Sequence, residues 1–116
     1  MSDRSSRLEL LQGTLDLLIL RTLAGEPTHG HAIAKHIQRT SEELLQVETG
    51  SLYPALHRLE AKGLVAASWD LSDKGKRARY YRLTPRGRKH LAAEQSKWEM
   101  FSRAMGLILT PVNQEG

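Results

Sequence analysis

Between Thr49 and Leu91 the spacing of apolar residues changes twice, and this alternation of period fixes the order of the elements. Leu52, Leu56 and Leu59 recur at helical spacing on one face, and Gly63 supplies a stop signal behind them. Val65, Ala67, Trp69 and Leu71 then alternate with Ala66, Ser68 and Asp70, and Tyr81 and Leu83 resume the alternation after Ser72-Asp73-Lys74-Gly75-Lys76. A pattern of period two does not sit as a helix, so this stretch is a β-hairpin whose apolar face is Val65, Ala67, Trp69, Tyr81 and Leu83. An isolated two-stranded hairpin is marginal in water, and that face therefore needs helices to cover it.

The helices precede and follow. Thr14 is expected to cap a first helix that ends at Gly25 with Pro27 beyond it; Leu15, Leu18, Ile19, Thr22 and Leu23 share one face, while Leu17 and Leu20 fall off it and ask for a second cover. Thr28 is expected to cap a second helix from His29 to about Arg39, carrying the pair Ile33 and Ile37 beside Ala34. Residues 41–48 read as a loop in which Leu44, Leu45 and Val47 must tuck inward. The third helix starts between Thr49 and Ser51, which places Pro54 among the first residues, where a missing N–H is tolerated. Thr84-Pro85 opens the last helix with a capping threonine and a proline at the first helical position. That helix runs to about Leu109, roughly 35 to 40 Å at 1.5 Å per residue. Its stripe of Leu91, Trp98, Phe101, Met105 and Ile108 exceeds what one small domain can bury, which implies a second copy of the chain.

Charge is distributed as unevenly as the apolar residues. The sixteen residues from Lys74 to Lys89 hold eight of the seventeen basic side chains and no acidic one. This stretch carries +8 against +4 for the whole chain, so everything else sums to −4. Local charge of that density, on a hairpin that directly follows a helix, points to a polyanion held at one face. A helix in the major groove with a cationic strand pair on the flanking phosphates is the arrangement it fits.

Other classes are set aside on the residues themselves. A 116-residue chain with 40% hydrophobic and 26% charged residues suits one soluble domain, and no run approaches the roughly 20 apolar residues of a membrane span. The N-terminus does not read as a signal peptide, and a cytosolic location is expected. There is no cysteine, hence no disulfide and no thiolate ligand or nucleophile. His29, His31 and His36 lack the i, i+4 spacing of helical zinc sites, so neither metal nor cofactor is expected. No nucleophile elbow, phosphate-binding glycine loop or carboxylate pair suggests an enzyme.

Helix, helix, helix, hairpin is the plan of a winged helix-turn-helix, with the third helix in the groove and the hairpin as wing. On this plan the fold is mainly α with a small β-hairpin, followed by a long C-terminal dimerisation helix. Gly50-Ser51-Leu52-Tyr53-Pro54-Ala55-Leu56-His57-Arg58-Leu59-Glu60-Ala61-Lys62-Gly63-Leu64-Val65 resembles the recognition helix of the PadR family of bacterial transcriptional regulators. Arg79-Tyr80-Tyr81-Arg82-Leu83-Thr84-Pro85-Arg86-Gly87 is similar to that family's junction between wing and last helix, and Gly13-Thr14-Leu15-Asp16-Leu17-Leu18-Ile19-Leu20 to its first helix. The resemblance spans about Leu11 to Leu109. It implies a dimeric repressor that leaves its operator when a small molecule binds. The single helix after the wing resembles the short subgroup of the family, which implies that an effector binds at the dimer interface. Family members often carry Gly-Tyr at the start of the second helix; here Gly30 is followed by His31.

The expected boundaries are a loose N-terminus over residues 1–7, the winged domain over 8–84, the dimerisation helix over 85–109 and a tail over 110–116. Double-stranded DNA is expected to meet Thr49, Ser51, Tyr53, Pro54, His57, Arg58 and Lys62 on the helix and Lys74, Lys76, Arg77 and Arg79 on the wing. Among these, Tyr53 either offers its hydroxyl to phosphate or packs under the wing, and His57 either donates to DNA or stays solvated. Leu17, Leu20, Leu91, Trp98, Phe101, Met105 and Ile108 are expected at the seam between copies. There Trp98 either lines a slot for a small aromatic or cationic effector or only packs. Two rival readings are a winged-helix module that docks on proteins and a metal-responsive winged-helix sensor. Uninterrupted cations on the wing argue against the first, and the histidine spacing against the second.

Overall fold

The computed structural model describes residues 12–111, so the expected loose N-terminus and residues 112–116 of the expected tail lie outside the described residues. Four helices and a three-stranded antiparallel sheet follow one another as α1 (Gln12–Gly25), β1 (Thr28–His29), α2 (Gly30–Thr40), α3 (Thr49–Ala61), β2 (Val65–Leu71), β3 (Arg77–Leu83) and α4 (Pro85–Leu109). The sheet order is β1-β3-β2. Helix α1 is central and packs against α2, α3, α4 and β3. Its Leu15, Ile19, Leu20 and Leu23 meet Ile33 and Ile37 of α2, Leu52, Leu56 and Leu59 of α3, and Val65, Tyr81 and Leu83 of the sheet in one buried cluster. Each of these fully buried side chains stabilises the fold by roughly 1.5–3 kcal/mol relative to exposure.

The hairpin register is Val65↔Leu83, Ala67↔Tyr81 and Trp69↔Arg79, so the two apolar faces coincide as the alternation predicts. Burial pushes the Tyr81 phenol above its ordinary range, with the neighbouring Arg79 guanidinium opposing, and the ring stays neutral inside the core.

Several sequence-based boundaries move. Helix α1 already includes Gln12, which places Thr14 inside the helix; the threonine is not its cap. Thr28 does not cap α2 either. It pairs with Tyr81 in the short strand β1, and His29 takes the cap position, where its Nδ1 accepts from Ala32 N at 3.3 Å. Leu45 and Val47 do tuck against the core, whereas Leu44 is exposed. Helix α3 begins at Thr49 behind Glu48 as cap, at the early edge of the expected start, so Pro54 is its sixth residue. Its ring takes the place of a donor that would reach the Gly50 carbonyl, on the exposed side of the helix where water can serve instead.

The joint between wing and last helix is tightly knitted. Thr84 caps α4 by accepting from Gly87 N at 2.9 Å, and its hydroxyl donates to the Gly63 and Leu64 carbonyls at 2.7 and 3.0 Å. Thr84 N donates to Leu64 O as well, at 3.1 Å. Gly87 is buried here because a side chain would strike Leu64 O.

Candidate nucleic-acid interface

Helix α3 buries Leu52, Ala55, Leu56 and Leu59 and therefore turns Gly50, Pro54, His57 and Ala61 to solvent, with Thr49, Ser51 and Lys62 also exposed. Strand β2 of the hairpin packs against α3, and Arg79 of β3 reaches Glu60 on that helix. The hairpin turn is closed by Ser72, whose N–H donates to Lys76 O at 2.7 Å and whose carbonyl accepts from Gly75 N at 2.8 Å. Gly75 sits at φ +77°, a left-handed conformation suited to glycine, and the exposed Lys74, Lys76 and Arg77 are presented from a fixed loop and strand start.

The expected DNA-facing side chains divide when followed residue by residue. Lys62, Lys74, Lys76 and Arg77 are in no ion pair among the described residues, which leaves their charge available. Arg58 is different. Its Nη2 lies 3.1 Å from Asp16 Oδ1 on α1, so this side chain ties α3 to α1. Arg79 is likewise engaged, with Nη2 donating to Glu60 Oε2 of α3 at 2.8 Å, and it braces the wing against the helix. These pairs are partly screened and each stabilises by at most about 1 kcal/mol, but they set the angle between elements. Tyr53 lays its ring on the start of α2: a Cβ on Gly30 would come within 2.8 Å of it. A side chain at position 30 would displace the ring, which is 39% exposed, with part of its edge left to solvent.

Helix α4 separates into two halves. Leu91 is 7% exposed and Leu20 only 1%, so both are satisfied within their own domain, and the expectation that they reach a partner is corrected. Beyond them Trp98, Phe101, Met105 and Ile108 are exposed, together with Met100, Leu107 and Leu109. Trp98 and Phe101 rings stand 6.0 Å apart with a 43° tilt. With half-buried Leu17 and the start of α1 they line a hollow of ≈ 340 Å³.

Three features escape a reading of the sequence alone. Strand β1 is two residues long, too short for any periodicity, although the His29 ring edge on Tyr80 at 5.4 Å marks its pairing. The Arg58 to Asp16 pair joins residues 42 apart, and no local spacing signals it. Trp69, placed on the apolar face, is 57% exposed. Its phase is right, but the core ends before it. Among the described residues no group of three or more metal-ligating side chains converges, and no helix is long and apolar enough to cross a membrane.

The chain matches the transcriptional regulator PadR-like family over residues 19–93. It is 35% identical over 95 residues to a transcriptional regulator of Mycobacterium tuberculosis, covering 82% of this chain and 85% of that one. Its fold is similar to a transcriptional regulator from Clostridium thermocellum, with TM-score 0.77 and 29% identity over 85% of this chain and 96% of the other. A PadR family transcriptional regulator from Eggerthella lenta aligns with TM-score 0.73 and 33% identity over 87% and 86% of the two chains. With an exposed helix flanked by a cationic hairpin, and with that family matched across most of its length, the chain belongs to the PadR-like family of transcriptional regulators.

Proposed function

We propose that the protein is a repressor that binds a pseudo-palindromic operator as a homodimer and releases it when a small molecule occupies the dimer seam. The observation that carries the DNA reading is the exposed side of α3, packed against a hairpin whose cations Lys74, Lys76 and Arg77 are in no ion pair among the described residues. Thr49, Ser51, Pro54 and His57 then address the groove, Tyr53 and Lys62 border it, and the wing neutralises phosphates. Two such helices related by a twofold axis address half-sites about 10 bp apart, or a multiple of that. Replacing Lys74, Lys76 or Arg77 by Ala is expected to weaken binding to every sequence alike. In a titration against salt, the slope of log K against log salt should become shallower by about one for each phosphate left without its cation in each half-site. An unchanged slope would take the wing off the phosphates and this docking with it.

The exposed apolar half of α4 supports the homodimer, and the hollow between Leu17, Trp98 and Phe101 supports an effector site at its seam. A planar aromatic or cationic molecule stacking on Trp98 controls DNA only by favouring one spacing of the two α3 helices over another. In a Trp69→Phe background, an inducer is expected to quench Trp98 emission and to release DNA over the same concentration range. Unchanged inducer affinity in a Trp98→Ala protein that dimerises and binds DNA would leave Trp98 a packing residue alone.

A further inference from the structure

The exposed tryptophan of the wing is not explained by the core, by the phosphate contacts or by the dimer seam. Trp69 lies on the same hairpin face as Val65, Ala67 and Tyr81, two residues beyond the last of them that touches the core. Next along the strand Leu71 is also exposed, so the apolar face continues outward with nothing among the described residues to cover it. Its position is nevertheless defined. Trp69 pairs with Arg79, whose guanidinium lies 5.9 Å from the indole centroid and also reaches Glu60 of α3, so one side chain spans from the ring to the helix. Arg77 stands 4.9 Å over the same ring. The indole therefore sits against two guanidiniums, one of which is anchored on α3.

We propose that Trp69 is itself a DNA contact, packing its ring on deoxyribose and base edges beside α3 while Arg77 faces the adjacent phosphate. This rests on the DNA-binding reading above. Charge selects the occupant: Arg77 and Arg79 flank the ring, Lys74 and Lys76 stand with Asp73 in the turn beyond it, and the carboxylate of Asp70 is turned back onto its own strand, where it accepts from Leu71 N at 2.8 Å. An apolar platform flanked by cations suits a polyanion that also offers flat, weakly polar surface, which is the description of a nucleic-acid groove. Arginine stacked on the ring holds it rigid, so little rotamer freedom is lost on binding.

The test uses the full chain carrying Trp98→Phe, in which Trp69 is the remaining tryptophan, and a 30-bp duplex of mixed sequence with a dye on one end. At low salt, dye anisotropy reports binding independently of the protein's emission. Trp69 emission is expected to be strongly quenched in step with the anisotropy. Trp69→Ala should bind about tenfold more weakly per copy, in the range of aromatic stacking on nucleotides, with an unchanged salt slope because the substitution removes no charge. Trp69→Phe should keep most of the affinity. If anisotropy rises while Trp69 emission stays constant, Trp69 is off the DNA and the proposal fails, although the DNA reading stands. If the duplex does not bind even at low salt, both fail together. Should Trp69→Ala not fold, the emission change on its own still decides the matter.

Discussion

Gly87→Ala is expected to cost about 3 kcal/mol or more, enough to unfold a marginal domain, although it replaces the smallest residue by the next smallest. A Cβ at this position would overlap the Leu64 carbonyl oxygen and stand 2.8 Å from Leu83 Cδ1. The first of these atoms is backbone, so no rotamer relieves the overlap. That oxygen is also the acceptor for both the N–H and the hydroxyl of Thr84, and moving it loosens the cap of α4 and the base of the wing together. Gly50→Ala is the control. A Cβ there meets nothing within 4 Å, and alanine should leave stability unchanged or raise it by up to about 1 kcal/mol through helix propensity. Urea unfolding of the two variants side by side measures both. A Gly87→Ala protein within about 1 kcal/mol of its parent would mean that the α4 joint yields where the geometry says it is closed.

A second large effect is expected at the other end of α4. Phe101→Glu combined with Ile108→Glu should give a folded monomer, because both side chains are exposed in the single chain and touch no part of its core. Burying two carboxylates in a seam between copies is costly unless they are paired, and dissociation avoids that cost. Binding to a two-half-site operator should fall by about 10² to 10⁴, since the second half-site is no longer engaged intramolecularly. Sedimentation together with circular dichroism gives the state of the protein. A variant that stays dimeric and binds DNA normally would place the seam elsewhere.

How far the sequence reveals such a molecule depends on the range of each interaction. The hairpin phase and the start of α4 are legible because alternation and Thr84-Pro85 act within a few residues. Leu20 and Leu91 mislead for the opposite reason. A helical wheel counts the sides that are apolar but not the elements that cover them, and α1 is covered by three helices and a strand. Trp69 shows the same limit in a strand: periodicity gives the face, and only the packed structure shows where the core stops. Arg58 illustrates the limit for charge, since its exposed-looking position on α3 conceals a partner on α1. The candidate interface is consequently legible as a region from sequence, while the division between cations that brace and cations that remain available comes from the fold.

The closed joint at Thr84 and Gly87 also decides how motion travels through the molecule. With no flexible residue between β3 and α4, the long helix acts as a rigid handle on the winged domain. A tilt of about 10° applied at the far end of a helix roughly 37 Å long sweeps the other end through about 6 Å, more than one turn of the helix rise. In the homodimer proposed above, a tilt of that size where two such handles cross would be geared up to a displacement comparable with a base-pair step or two, and DNA registration would become a matter of leverage.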